Sequence, residues 1–251
     1  MTAPSVLVHR DQDLLAEAVA ARLVTRIADA QAARGSASVV LTGGGVGTAV
    51  LAALAAAGAR DAIDWSRLDV WWGDERFRPG GDPERNETGA RAALLDHVPV
   101  DPARVRPMPP SDGPDGDDPE AAAERYAAAL RAAAGPGEGP VPAFDVLMLG
   151  VGPDAHVASL FPGLPALRDE RPVVAVRDSP KPPPTRISLT FPSLRAAREV
   201  WLLAAGESKA EAVRLGLAAG TDLVRAPVAG VRGRERTLFL LDRAAASGLR
   251  A

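Results

Sequence analysis

The sequence predicts an α/β protein built in three layers, with a mainly parallel central sheet between helices. Three observations carry this. Short apolar runs alternate with longer amphipathic or Ala/Leu-rich segments along the chain. The apolar runs lack polar alternation, as expected of strands buried on both faces. Several of them end in glycine or in a cluster of polar residues, where a parallel sheet places its ligands. The chain is read as one domain over 1–251, since its 251 residues suit one large α/β unit and show no repeat.

The first strand is expected at Ser5 to Arg10. Asp11 then N-caps a helix that carries Leu14, Leu15, Ala18, Leu23 and Ile27 and runs to about Ala33. Ser38 to Leu41 is a buried strand opening into Thr42-Gly43-Gly44-Gly45-Val46-Gly47, and a helix follows to about Ala57. Leu68 to Trp72 is the third strand and ends in Gly73-Asp74-Glu75-Arg76. Pro83 to His97 holds a helix starting near Glu84 to Glu87. Pro110 to Pro119 is acidic and rich in Gly and Pro, hence an exposed loop. Pro119 to Ala134 is helical, and Gly135 to Pro142 links it to a strand at Phe144 to Leu149. Further strands are expected at Val173 to Val176, Ile187 to Phe191, Glu199 to Ala204 and Thr237 to Leu241, with a helix at Glu207 to Leu217.

Composition excludes several functions. There is no cysteine, so disulfides, thiol catalysis and thiolate metal sites are ruled out. His9, His97 and His156 fall in separate segments without paired-ligand spacing, so no metal site is expected. Net charge is −3 and no basic block appears, which gives nucleic-acid binding no electrostatic support. No apolar run reaches membrane-spanning length and the N-terminus lacks the apolar core of a signal peptide, so a cytoplasmic protein is expected. No Gly-x-Ser-x-Gly elbow occurs.

The segment Phe144 to Gly163 is the most telling. A buried strand stops at Gly150-Val151-Gly152-Pro153, and Asp154 and His156 follow two residues apart. A histidine after a strand can simply cap a helix or sit satisfied in the core. Its place behind an acid, in a glycine-flanked turn at a strand end, favours a general base instead. The Gly43, Gly44, Gly45 loop lies between a strand and a helix, where backbone N–H groups can meet an anion. It matches neither the dinucleotide fingerprint nor the P-loop, and is read as a site for a single phosphate group. In Asp74-Glu75-Arg76, one carboxylate is expected on a sugar and Arg76 on a phosphate. The competing reading is a solvated corner. Asn86 can bond a sugar hydroxyl or cap its helix.

Arginine is abundant, but lysine occurs only at Lys181 and Lys209, and asparagine only at Asn86. A chain biased toward Arg, Ala, Gly and Pro, as a GC-rich genome produces, keeps such residues where a specific chemistry needs them. Lys181 and Arg186 flank a proline-rich stretch that is embedded between strands, a stiff loop rather than a free SH3-type ligand. Lys209 follows a strand near a helix N-terminus, where a cation opposes the helix dipole unless an anion binds there.

Together, Asp74-Glu75-Arg76 with Asn86, the Gly150 to Gly163 signature, Ser179 to Arg186 and Gly206 to Ala210 resemble the 6-phosphogluconolactonase family over nearly the whole chain. The resemblance implies a Rossmann-like three-layer fold similar to glucosamine-6-phosphate deaminase, without metal or cofactor. It implies hydrolysis of a small sugar-phosphate lactone in the oxidative pentose phosphate pathway, by a monomer or small homo-oligomer. The signature histidine of the family activates water, a role that falls on His156. Asp154 or Asp74 orients the imidazole or holds a sugar hydroxyl. Arg76, Arg186, Lys209 and the Gly43 to Gly45 loop grip the phosphate, with Glu75, Asn86 and Lys181 nearby in the binding set. Two departures stand out. The first loop has Thr-Gly-Gly-Gly-Val-Gly where Ser-Gly-Gly-Ser-Thr-Pro is usual. Ala155 replaces the glycine usual between Asp and His, so positive φ is not expected there. The rivals are glucosamine-6-phosphate deaminase/isomerase and a sugar-phosphate-sensing domain. The first family places a Glu shortly after the signature histidine, and Val157 to Gly163 holds no acid. The second needs a DNA-binding module, and neither a helix-turn-helix nor a basic stripe is present.

Overall fold

The computed structural model describes residues 3–249. In chain order the elements are β1 (Ser5–His9), α1 (Gln12–Arg34), β2 (Ala37–Leu41), α2 (Gly44–Ala56), β3 (Leu68–Trp72), β4 (Asp74–Arg76), α3 (Asn86–Ala93) and α4 (Pro119–Ala133). They continue with β5 (Val146–Gly150), β6 (Val173–Val176), β7 (Arg186–Leu189), α5 (Phe191–Leu194), β8 (Glu199–Ala204), α6 (Ala210–Leu217) and β9 (Arg236–Asp242). Six strands form a sheet in the order β1-β9-β8-β5-β2-β3. Every pairing in it is parallel. The expected α/β class is therefore the observed one.

Alternation along each strand divides the core between the two faces. From β8, Val200 and Leu202 join the layer of α4 and α6, while Trp201 and Leu203 join that of α1 and α2. Strand β5 sends Leu147 and Leu149 one way, and Val146 and Met148 the other. Both faces being covered is why these runs show no polar alternation. Each large apolar side chain sealed in this way contributes roughly 1.5–3 kcal/mol. Helix α1 buries Leu15, Val19, Leu23 and Ile27, and its N-cap Asp11 accepts a hydrogen bond from Leu14 N. Among the described residues no helix is long and apolar enough to cross a membrane.

The sequence reading did not foresee a second sheet. Strands β4, β7 and β6 form a small antiparallel sheet of their own. Asp74-Glu75-Arg76, expected as a turn after a strand, is itself a strand paired with Arg186 to Ser188. Short runs buried on both faces look alike in sequence whichever sheet they join. The last of these strands also stops at Leu189, and Phe191 opens the four-residue helix α5.

Chain order places the switch point of the main sheet between β2 and β5. From β2 the chain proceeds outward to β3; from β5 it proceeds the other way, to β8 and β9. The loops leaving β2 and β5 therefore diverge and leave a crevice, the position where open α/β sheets bind ligands. Thr42 Oγ1 ties the two loops together by accepting a hydrogen bond from Gly150 N at 3.1 Å.

Candidate active site

A cleft of about 330 Å³ opens at this crevice. Its walls include Gly43 and Gly44 after β2, Asp74 and Arg76 of β4, Asn86, Gly152 and His156 after β5, Lys181, Arg186, and Lys209. Segments far apart in sequence thus meet at the carboxyl edge of the sheet. Gly45 and Glu75 do not line it.

His156 and Asp154 form a pair, with Nδ1 of the ring 2.5 Å from Asp154 Oδ1. An ionised carboxylate only accepts, so Nδ1 carries the proton and Nε2 is left basic. Burial alone would raise the Asp154 carboxyl. The hydrogen bond and charge of His156, with Lys181 behind them, instead hold it well below the usual carboxylate range. Phe161 packs against the imidazole, ring centroids 4.5 Å apart. The turn leaves no room for anything else: a Cβ on Gly152 would lie 2.0 Å from His156 Nδ1 and 2.5 Å from Asp154 Oδ1. Ala155 adopts φ 65, which corrects the expectation that an alanine there avoids the left-handed region. Its amide donates to Gly152 O and its carbonyl accepts from Val228 N, so the turn holds the conformation against a steric cost of roughly 1–2 kcal/mol.

Asp74 sits on the opposite wall. Its Oδ2 accepts from Ser159 Oγ at 2.7 Å, and Asn86 Nδ2 donates to its main-chain oxygen at 2.8 Å. The alternative left open by the sequence is thus narrowed: Asp154, not Asp74, touches the imidazole. Asn86 stands at the first turn of α3 but does not cap it. Its Oδ1 accepts from Arg76 at 2.5 Å, and it lies so close over Gly43 that a Cβ there would be 1.8 Å away. Gly43 is required by that approach, and Gly44 by its φ of 80. The cap Gly43 brings no side chain to the first N–H groups of α2.

Glu75 departs from its expected place in the binding set. It is 1% exposed, and it accepts from the N–H groups of Arg76, Asn86 and Glu87 at 2.8, 2.6 and 2.9 Å. It caps α3 from below and holds Asn86 in position. Burial pushes its carboxyl up to about 7, against the pull of Arg85 and of these three N–H groups. A carboxylate that must anchor a helix start is drawn into the core rather than toward the cleft.

The cations divide unevenly. Lys181 pairs with Asp154 at 3.3 Å. Among the described residues, Arg76, Arg186 and Lys209 form no ion pair, although all three line the cleft. Arg186 instead donates Nε to Pro183 O at 3.0 Å and Nη2 to Lys181 O and Pro182 O, which pins the proline-rich loop. Burial, and then the neighbouring charge of Lys181, lower the Lys209 ammonium from its ordinary value. Sequence reasoning missed Thr42, Ser159 and Phe161. The last two lie inside the signature segment, where a hydroxyl and an aromatic ring next to the histidine were the available signal.

The model of the family described as glucosamine-6-phosphate isomerases/6-phosphogluconolactonase matches residues 10–240. The chain belongs to this family. The 6-phosphogluconolactonase of Streptomyces coelicolor is 66% identical over 98% of this chain and 95% of its own. That of Mycobacterium tuberculosis is 51% identical over 98% of both chains. Among solved structures, the 6-phosphogluconolactonase of Trypanosoma brucei superposes with a TM-score of 0.85 at 29% identity, over the whole of both chains. A monomeric glucosamine-6-phosphate deaminase reaches 0.77 at 21% identity over 97% of this chain and 99% of its own, a likeness of fold alone. The family membership inferred from the motifs is thus borne out.

Proposed function

We propose that this protein hydrolyses 6-phospho-D-glucono-1,5-lactone to 6-phospho-D-gluconate, with His156 as the base. The observation that carries the reading is one cleft in which an Asp-oriented imidazole faces three cations that, among the described residues, form no ion pair. A neutral base beside unmatched positive charge suits a neutral, hydrolysable group attached to a dianion. The relatives named above, at 66% and 51% identity, are 6-phosphogluconolactonases and support the same substrate.

His156 Nε2 takes a proton from water as its oxygen attacks the C1 carbonyl. Asp154 stabilises the imidazolium that forms. The C1 oxyanion is met by N–H groups of the glycine turns or by a nearby cation. As the intermediate collapses, the C1–O5 bond breaks and the imidazolium returns its proton to O5, giving the open-chain acid. Arg76, Arg186, Lys209 and the N-terminus of α2 hold the phosphate, and Asp74 and Asn86 take sugar hydroxyls. Binding energy at the phosphate thereby fixes the far end of the ring against the base. In this reading the chain works as one domain in the cytoplasm, as a monomer or small homo-oligomer, without cofactor, metal, nucleic acid or membrane.

The test is acid release from the phosphorylated lactone by purified protein, with spontaneous opening subtracted. Strong acceleration is expected. No acceleration, together with ammonia release from glucosamine-6-phosphate, would transfer the site to deaminase chemistry.

A further inference from the structure

Lys181 is placed differently from the other cations of the cleft. Its Nζ lies 3.3 Å from Asp154 Oδ1 and 3.3 Å from His156 Nδ1, while Oδ1 and Nδ1 are themselves 2.5 Å apart. Two donors therefore compete for one carboxylate oxygen. Nδ1 carries a proton donated to Asp154, so the lysine adds no hydrogen bond to the ring. What it adds is positive charge beside a base that must become positive to work. It also draws on the carboxylate that stabilises the imidazolium. Of the other cations on this side, Lys209 is near enough for its charge to act on both Lys181 and Asp154, while Arg186 is separated from the imidazole by Phe161, its guanidinium carbon 5.9 Å from that ring.

The loop that carries Lys181 favours a side chain that moves on a fixed backbone. Ser179 Oγ donates to Lys181 O at 2.9 Å, and Arg186 Nη2 donates to the same oxygen at 3.1 Å. The ammonium end, in contrast, is partly exposed in the cleft and has Asp154 as its ion-pair partner. A phosphate entering among Arg76, Arg186 and Lys209 offers Lys181 two negative charges instead of a share in one.

We infer that Lys181 restrains the Asp154–His156 pair in the empty cleft and is drawn off it by the phosphate of the substrate, so that phosphate binding itself readies the base. This rests on the lactonase reading and extends it. The phosphate then acts on turnover as well as on affinity, because part of its binding energy appears only when the base is released.

The restraint and mere phosphate binding differ in what a detached phosphate mimic does. Wild type and Lys181→Met are assayed on unphosphorylated glucono-1,5-lactone with and without phosphite dianion, non-enzymatic opening being subtracted at each phosphite concentration. Wild type should be activated by phosphite by about ten- to a hundredfold, the worth of a charge-assisted contact. Lys181→Met should hydrolyse the bare lactone faster than wild type does without phosphite, and phosphite should accelerate it little further. A variant as slow as wild type on the bare lactone, or one still activated in full by phosphite, would overturn the inference. Lys181 would then be a phosphate ligand or a bystander. Wild-type hydrolysis of the phosphorylated lactone serves as the control for the lactonase reading: its absence would mean that the reading itself fails, whatever phosphite does.

Discussion

Two clefts rich in cations lie at opposite edges of the same sheet, and they differ in what their charges meet. At the amino edge, a cleft of about 520 Å³ is lined by Arg34, Arg104, Arg106 and Arg198. There Asp69 takes Arg104 and Arg106 at 2.8 and 2.7 Å, while Asp145 takes Arg34, and Arg198 at 3.7 Å. At the carboxyl edge the cleft is smaller, and among the described residues three of its four cations form no ion pair. Neither volume nor the count of basic residues marks a binding site here. Positive charge left unmatched does, because a partner already in place must be displaced before a ligand gains anything. Backbone geometry points the same way, since strand ends diverge only at the carboxyl edge between β2 and β5.

The contrast can be broken in several ways. Gly152→Ala should have the largest effect. The added Cβ overlaps His156 and Asp154, so the pair must be pushed apart and turnover should fall by about 10²–10⁴-fold, as when a general base is lost. Turnover within severalfold of wild type would mean that the dyad geometry is not needed. Next comes a matched pair of charge deletions. Lys209→Ala should lower kcat/KM for the phosphorylated lactone by about ten- to a hundredfold and hardly change it for the unphosphorylated one. Arg104→Ala, at the other edge, should change neither by more than about twofold. Equal losses on both substrates from Lys209→Ala would assign that lysine to the fold rather than to the phosphate.

The smallest effect concerns the floor of the cleft and is read as stability against pH. Burial raises the Glu75 carboxyl from 4.5 to about 7 in the folded protein. The folded state therefore holds a proton that the unfolded chain has already lost between these values, and stability should fall as pH rises through that window. At 1.36 kcal/mol per unit the total is on the order of 3 kcal/mol. Glu75→Gln should flatten that part of the profile, whatever its offset at a single pH. Parallel profiles for the two proteins would show that Arg85 and the three N–H groups keep Glu75 ionised throughout.

Much of this was legible in the sequence where a single segment carries its own signal. The parallel strands, the Asp11 cap, the Asp154–His156 turn and the two lysines all fall where local pattern placed them. Contacts between distant segments were not legible. Glu75 and Asp74 are adjacent and chemically alike, yet one enters the core under α3 and the other lines the cleft. Pleating sends neighbours in β4 to opposite faces, and nothing in Asp-Glu-Arg says which face is wet. The antiparallel sheet was hidden for the same reason: β4, β6 and β7 are brief, and β4 pairs with a strand more than a hundred residues away. Ala155 shows the limit of a local rule. Its side chain argues against positive φ, but hydrogen bonds on both sides of the residue impose it.

The central claim is that His156 is the base of a phosphate-lactone hydrolase. The direct measurement is turnover of His156→Ala on saturating 6-phosphogluconolactone, beside wild type, with folding verified by thermal unfolding. The account predicts that kcat falls by about 10²–10⁴-fold while KM changes little. A variant with near-normal kcat and a raised KM would contradict it, leaving His156 as a group that binds substrate while another residue activates water.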